Sequence, residues 1–148
     1  MARKVRAFLD TSVLVAGLWS EKGGARLLLK LGEAETVELV ASSQVLAELE
    51  EVIRWKVPEQ LARLVLILDR SLIQVLPSVS AEQAASAMAY MKTAGDAQVA
   101  ADAASAGVDF LVTLDRKHFL ENHLLIQAVN FNVGTPGDFL TWYRKRYE

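Results

Sequence analysis

The chain has 148 residues, the size of one ordinary domain, and 52% of them are hydrophobic, enough to fill a single packed core. Lys and Arg number 16 against 18 Asp and Glu, a formal charge of -2, so no global basic excess drives nucleic-acid binding and any such contact is local. Zero cysteines exclude disulfides, thiolate zinc sites and cysteine nucleophiles. No apolar run reaches the roughly 20 residues of a membrane span, and Met1 to Phe8 carries Arg3, Lys4 and Arg6 with no secretory stretch, so one cytoplasmic domain over 1–148 is expected.

Val5 to Leu9 reads as the first strand, ending at Asp10. Gly24 to Leu31 is apolar at Leu27, Leu28 and Leu31 and reads as an amphipathic helix. Val37 to Ala41 is the second strand, followed from Ser43 by a helix with Val45, Leu46, Leu49, Val52 and Ile53 on one face. Glu59 to Arg70 follows Pro58 as a helix apolar at Leu61, Leu64, Val65 and Leu68. With Leu66 and Ile67 added, it has more apolar surface than one face needs, which predicts a homodimer interface. Leu72 to Leu76 is the third strand, and Ser80 with Gln83 resembles a capping box opening an Ala-rich helix to Met91. Asp96 opens a helix closed by Gly107, Phe110 to Leu114 is the fourth strand ending at Asp115, and Leu125 to Val129 is a weaker fifth. Thr135, Pro136 and Asp138 form the start of a C-terminal helix. Strands alternating with helices predict an α/β fold, a three-layer α/β/α sandwich on a mainly parallel central sheet.

In such sheets ligands bind beyond the carboxyl ends of the strands, which selects among the acids. Asp10 and Asp115 end strands, Asp96 begins the helix that feeds the fourth strand, and a glutamate lies one to two turns into the helix after the second. Singly, a strand-end aspartate is usually a turn residue and a helix-start aspartate a cap. Together, several acids at one edge repel unless a cation neutralises them, and oxygen ligation of Mg2+ or Mn2+ is the economical explanation. Helical periodicity points Glu51 away from the apolar stripe but places Glu48 and Glu50 about 100° from it on opposite sides and cannot rank them.

The segments Phe8-Leu-Asp-Thr-Ser-Val-Leu, Ser43-Gln-Val-Leu-Ala-Glu-Leu, Asp96-Ala-Gln-Val-Ala-Ala-Asp-Ala and Val112-Thr-Leu-Asp-Arg-Lys-His-Phe resemble, in order, the four acidic motifs of the PIN-domain nucleases. Gly134-Thr-Pro-Gly-Asp-Phe-Leu is similar to that family's usual end, so the likeness runs from about Val5 to Leu140. The chain resembles the small prokaryotic members of the VapC toxin kind. The resemblance implies a metal-dependent endoribonuclease, its Mg2+ or Mn2+ held by Asp10, Glu48, Asp96 and Asp115, with Glu48 preferred to Glu50. It puts Thr11, Ser12 and Thr113 where the family has small hydroxyl residues beside the metal. A toxin of this kind also implies an RNA substrate and a neutralising antitoxin. Many relatives have a further acid just after the fourth motif; here Arg116, Lys117 and His118 stand there. That departure bears on a second metal site and makes Arg116 and Lys117 candidates for holding RNA phosphate.

Other readings fit less well. A receiver domain would have paired acids after the first strand and a lysine after the last, and a haloacid-dehalogenase-type phosphotransferase an Asp-x-Asp pair, but Thr11 and Ser12 follow Asp10. A catalytically inactive PIN-like interaction module, or a nuclease for other structured nucleic acid, remains the alternative. His118 and His123 match no zinc pattern and read as structural or surface residues; Trp19, Trp55 and Trp142 read as packing or interface residues. Arg144, Lys145 and Arg146 read as charges complementing a helix C-terminus.

Overall fold

The central strand is β1 (Arg6–Leu9), whose Ala7, Phe8 and Leu9 are fully buried. In the computed structural model, which describes residues 3–147, it pairs in parallel on one side with β2 (Glu38–Ser42) and on the other with β4 (Phe110–Val112). β3 (Gln74–Leu76) extends the sheet beyond β2 and β5 (Asn132–Gly134) beyond β4, giving the order β3-β2-β1-β4-β5, parallel throughout. Buried on both faces, the inner strands are continuous apolar runs instead of alternating ones. Met1, Ala2 and Glu148 lie outside the described residues, and with them the first two residues of the Met1 to Phe8 segment. Among the described residues no helix is long and apolar enough to cross a membrane.

The connections are α1 (Thr11–Trp19) and α2 (Gly24–Glu33), then α3 (Ser43–Lys56) and α4 (Leu61–Arg70), then α5 (Ala81–Ala85) and α6 (Ala94–Ala106), then α7 (His123–Ala128), with α8 (Pro136–Arg146) closing the chain. Right-handed crossovers carry the chain outward from β1 to β3 over one face and back to β4 and β5 over the other. Contacts of α1 with α2, α3 and α4, of α2 with α8, and of α5 with α6 agree with that layering. The α/β/α sandwich expected from the alternation is the observed fold. Phe139 and Trp142 of α8 close one end of the core, their rings 5.2 and 5.4 Å from Phe110.

Three local expectations are corrected. Leu125 to Val129 is not a strand: Asn122 caps Leu125 N through its side chain at 3.0 Å and starts α7, and the fifth strand forms three residues further on. The Ala-rich helix stops at Ala85 and tightens into a 3₁₀ turn over Ser86–Ala89. Asn122 takes the carbonyl of Tyr90 at 2.8 Å beyond that turn. Asp96 does not open its helix. Thr93 is the cap, accepting from Asp96 N at 3.1 Å, and Asp96 lies in the first turn. The Thr135 cap is as read, a full capping box with Asp138.

Candidate active site

The chain moves outward from β1 through β2 to β3, then returns to the far side of β1 with β4, so the β1–β4 seam is a topological switch point, where open α/β sheets form their ligand crevice. Asp10 leaves β1 there and becomes the N-cap of α1. Its Oδ1 accepts from Thr11 N at 2.8 Å; its Oδ2 accepts from the Ser12 hydroxyl at 3.2 Å and, across the seam, from the fully buried Thr113 hydroxyl at 2.8 Å. Burial pushes the Asp10 carboxyl above the usual aspartate range; these three bonds pull it down, and the nearby Glu48 charge adds to the upward push.

Thr113 also accepts from Asp115 N at 3.1 Å, and Ser12 accepts from Leu114 N at 3.0 Å, so the two hydroxyls tie the start of α1 to the segment leaving β4. Asp115 then caps a π-helical turn over Arg116–Leu120 by accepting from His118 N at 3.0 Å. The His118 Nδ1 lies 3.0 Å from Asp115 Oδ2 and 4.0 Å from Asp96 Oδ2. The contact pairs the ring nitrogen with the carboxylate oxygen and ties the His118 ring to Asp115. On the opposite wall, Glu48 stands between one and two turns into α3 and accepts from the Thr11 hydroxyl at 3.2 Å.

Asp10, Thr11, Ser12, Glu48, Asp96 and Asp115 line one cleft of about 530 Å3, together with Gln44 and Thr93. Among its described lining residues there is no lysine or arginine. All four predicted acids are thus brought to one place, together with Thr11 and Ser12, while Thr113 lies beneath as the strut of Asp10. Glu50 is not among the lining residues. Arg116 and Lys117 are exposed on the π turn, outside this cleft. Among the described residues no three carboxylate or imidazole groups converge tightly enough to cage an ion on their own.

Two further residues have roles at the site. His118, which reads from the sequence as structural or surface, bridges Asp115 towards Asp96; its spacing of three from Asp115, on a turn that Asp115 caps, is the local signal. Asp102, on α6, is buried with no ion pair among the described residues and accepts from the Ser78 hydroxyl at 2.7 Å, Val79 N at 2.8 Å and the Gln98 amide at 3.0 Å. Ser78 in turn accepts from Gln44 N at 3.0 Å, so Asp102 locks α6 against the start of the helix that carries Glu48.

A family model described as PIN domain matches residues 6–117. No curated protein matches the chain. Among solved structures, the chain is similar to VapBC2 from Rickettsia felis, bound to a DNA fragment from their promoter, at 16% identity and a TM-score of 0.66, over 88% of this chain and 98% of that one. It is similar to Mycobacterium tuberculosis VapC20, a sarcin-ricin loop cleaving toxin, at 17% identity and 0.58, over 75% and 91%. It is also similar to PAE2754 from Pyrobaculum aerophilum at 19% identity and 0.60, over 93% and 88%. At these identities the likeness is one of fold.

Proposed function

The chain belongs to the PIN-domain family, whose model spans residues 6–117, and on that premise we propose that it is a metal-dependent endoribonuclease, the toxin of a toxin-antitoxin pair. The observation that carries the reading is the cleft at the β1–β4 seam, where Asp10, Glu48, Asp96 and Asp115 meet with no lysine or arginine among the described lining residues. The donor set fits Mg2+ or Mn2+: it is all oxygen, it is anionic, and its open spacing suits a hard cation that keeps part of its water shell. Asp10, Glu48, Asp96 and Asp115 would hold the ion. When bound, it supplies charge neutralisation at the scissile phosphate and at the departing 3' oxygen.

The protein's own groups do the rest. Thr11 N, Ser12 and Thr113 fix both oxygens of Asp10 and leave chiefly the second lone pair of Oδ1 for the ion. Thr11 orients Glu48 from the other wall, and His118 holds Asp115 through Nδ1. A carboxylate on the open side of the cleft takes the proton of the attacking water. Arg116 and Lys117, exposed just beyond Asp115, attract the flanking RNA backbone, and a chain of net charge -2 relies on such local cations.

Likeness to VapBC2 and to the sarcin-ricin loop cleaving VapC20 supports an RNA target and an antitoxin partner. The homodimer rests on α4, which leaves Val65 and Leu66 exposed at 66% and 47%, while α3 leaves Trp55 exposed at 80%. The test is incubation of the purified protein with total RNA and with single-stranded DNA, in Mg2+, in Mn2+ and in chelator. Discrete RNA fragments that vanish with chelator are expected. Intact RNA in every condition returns the chain to an inactive interaction module, and cleavage of DNA alone to a nuclease of other specificity.

A further inference from the structure

Beside the acidic cleft lies a second cavity of about 490 Å3, within the roughly 300–1,000 Å3 range of small-ligand pockets. Its composition is opposite. Tyr90, Met91 and Leu124 give it apolar walls, and Lys92 and Lys117 supply two cations against the single acid Glu121. His118 belongs to both places: it lines this cavity while its Nδ1 is bonded to Asp115 of the cleft. One imidazole ring therefore separates the two.

The cavity is also built. The Asn122 side-chain amide donates to Tyr90 O at 2.8 Å and to His118 O at 3.0 Å, and its oxygen accepts from Leu125 N at 3.0 Å. One side chain thereby clamps the segment carrying Tyr90 and Lys92 to the turn carrying Lys117 and His118, and spends its own hydrogen-bonding capacity in doing so. Tyr90 is packed against the core along part of its surface, which limits its rotamers, and Lys92 is exposed.

We propose that this cavity binds the unpaired nucleotide next to the scissile phosphate of an RNA strand, with the base stacked on Tyr90 and the adjoining phosphate held by Lys92 and Lys117. The inference rests on the ribonuclease reading above. It follows from charge and continuity: the acidic cleft accommodates a phosphate only with its cation, so the strand needs basic groups immediately outside it, and this cavity offers them beside an aromatic ring. Unpaired bases are the part of RNA that stacks on aromatic side chains, and each stacked base contributes independently of its identity.

The experiment uses an Asp96→Asn background and a fluorescein-labelled single-stranded RNA of twelve randomised nucleotides, followed by anisotropy at several salt concentrations. Tyr90→Ala is expected to weaken binding at least about fivefold and Tyr90→Phe to leave it unchanged, since phenylalanine preserves the stack. Lys92→Ala is expected to flatten the slope of log K against log salt by about 0.7, the contribution of one single-strand phosphate contact. The same RNA carrying 5-iodouridine should photo-cross-link within residues 88–92, a readout that holds even if Tyr90→Ala fails to fold. RNA that binds the parent and these variants alike and cross-links elsewhere overturns the pocket while the ribonuclease reading stands. Equal losses in Tyr90→Ala and Tyr90→Phe overturn the stacking. RNA that is neither bound here nor cut in total-RNA digests with Mn2+ overturns the ribonuclease reading itself, and this inference with it.

Discussion

Thr113, wholly buried on the segment leaving β4, donates its hydroxyl to Asp10 Oδ2 at 2.8 Å and accepts from Asp115 N at 3.1 Å, so one side chain sets the positions of two acids that follow adjacent strands. Thr113→Val keeps the shape and removes both bonds. It leaves Asp115 N without that partner and Asp10 with one donor fewer, a cost of about 1–3 kcal/mol in urea unfolding. Cleavage should fall with it, and Thr113→Ser should restore both. A valine variant as stable and as active as the parent would remove the strut from the account.

Asp10 carries a second prediction through its titration. Because burial raises its carboxyl above the unfolded aspartate value of about 4, the folded state binds more protons over that interval, and stability falls as pH rises through it. Metal-free Asp10→Asn should therefore melt higher than the parent at pH 7, with the difference shrinking towards zero below about pH 4. Mn2+ should raise the melting temperature of the parent far more than that of the variant, because the cation offsets the same charge. Cleavage should be lost in Asp10→Asn and in Asp96→Asn. Substantial activity in either at saturating Mn2+ takes that residue out of the ligand set.

The two glutamates that helical periodicity leaves tied are separated by tertiary contact. Glu48 accepts from the Thr11 hydroxyl and lines the cleft, whereas Glu50 does not line it. Glu48→Gln should lower cleavage at least about tenfold, roughly 1.4 kcal/mol of transition-state stabilisation, and Glu50→Gln should be nearly silent. Steady-state rates on one RNA substrate decide between them, and the reverse ranking moves the role to Glu50.

What was legible in the chain follows from where the deciding forces act. The inner strands are short apolar runs because both faces are covered, and a strand followed by an acid can be read without knowing its neighbours; Asp10 and Asp115 were found in that way. β5 was misplaced because it is only three residues long and is set by pairing with β4, while the more apolar Leu125 to Val129 run goes mostly into a helix begun by Asn122. The Asn122 cap was in principle visible. The Asp102 network was not, since its partners Ser78 and Val79 lie 24 and 23 residues away and nothing local marks them. Likewise Asn122 ties Tyr90 to His118 by bonding both backbones, and no periodicity reports such a clamp.

Arg116 and Lys117 stand on the π turn directly after Asp115, both exposed, with only Lys117 reaching the neighbouring cavity. If both hold substrate backbone, replacing the pair with alanine weakens RNA binding and leaves metal affinity unchanged, since neither lines the acidic cleft. The salt dependence should flatten by about 1.4, because each lost single-strand phosphate contact removes about 0.7 from the slope of log K against log salt. Titrations in an Asp96→Asn background at several salt concentrations measure this directly. A reduction of about 0.7 assigns the contact to one of them, which Lys117→Ala alone then identifies. An unchanged slope moves the phosphate contacts to other basic groups, with the run Arg144, Lys145 and Arg146 at the end of α8 the next to test.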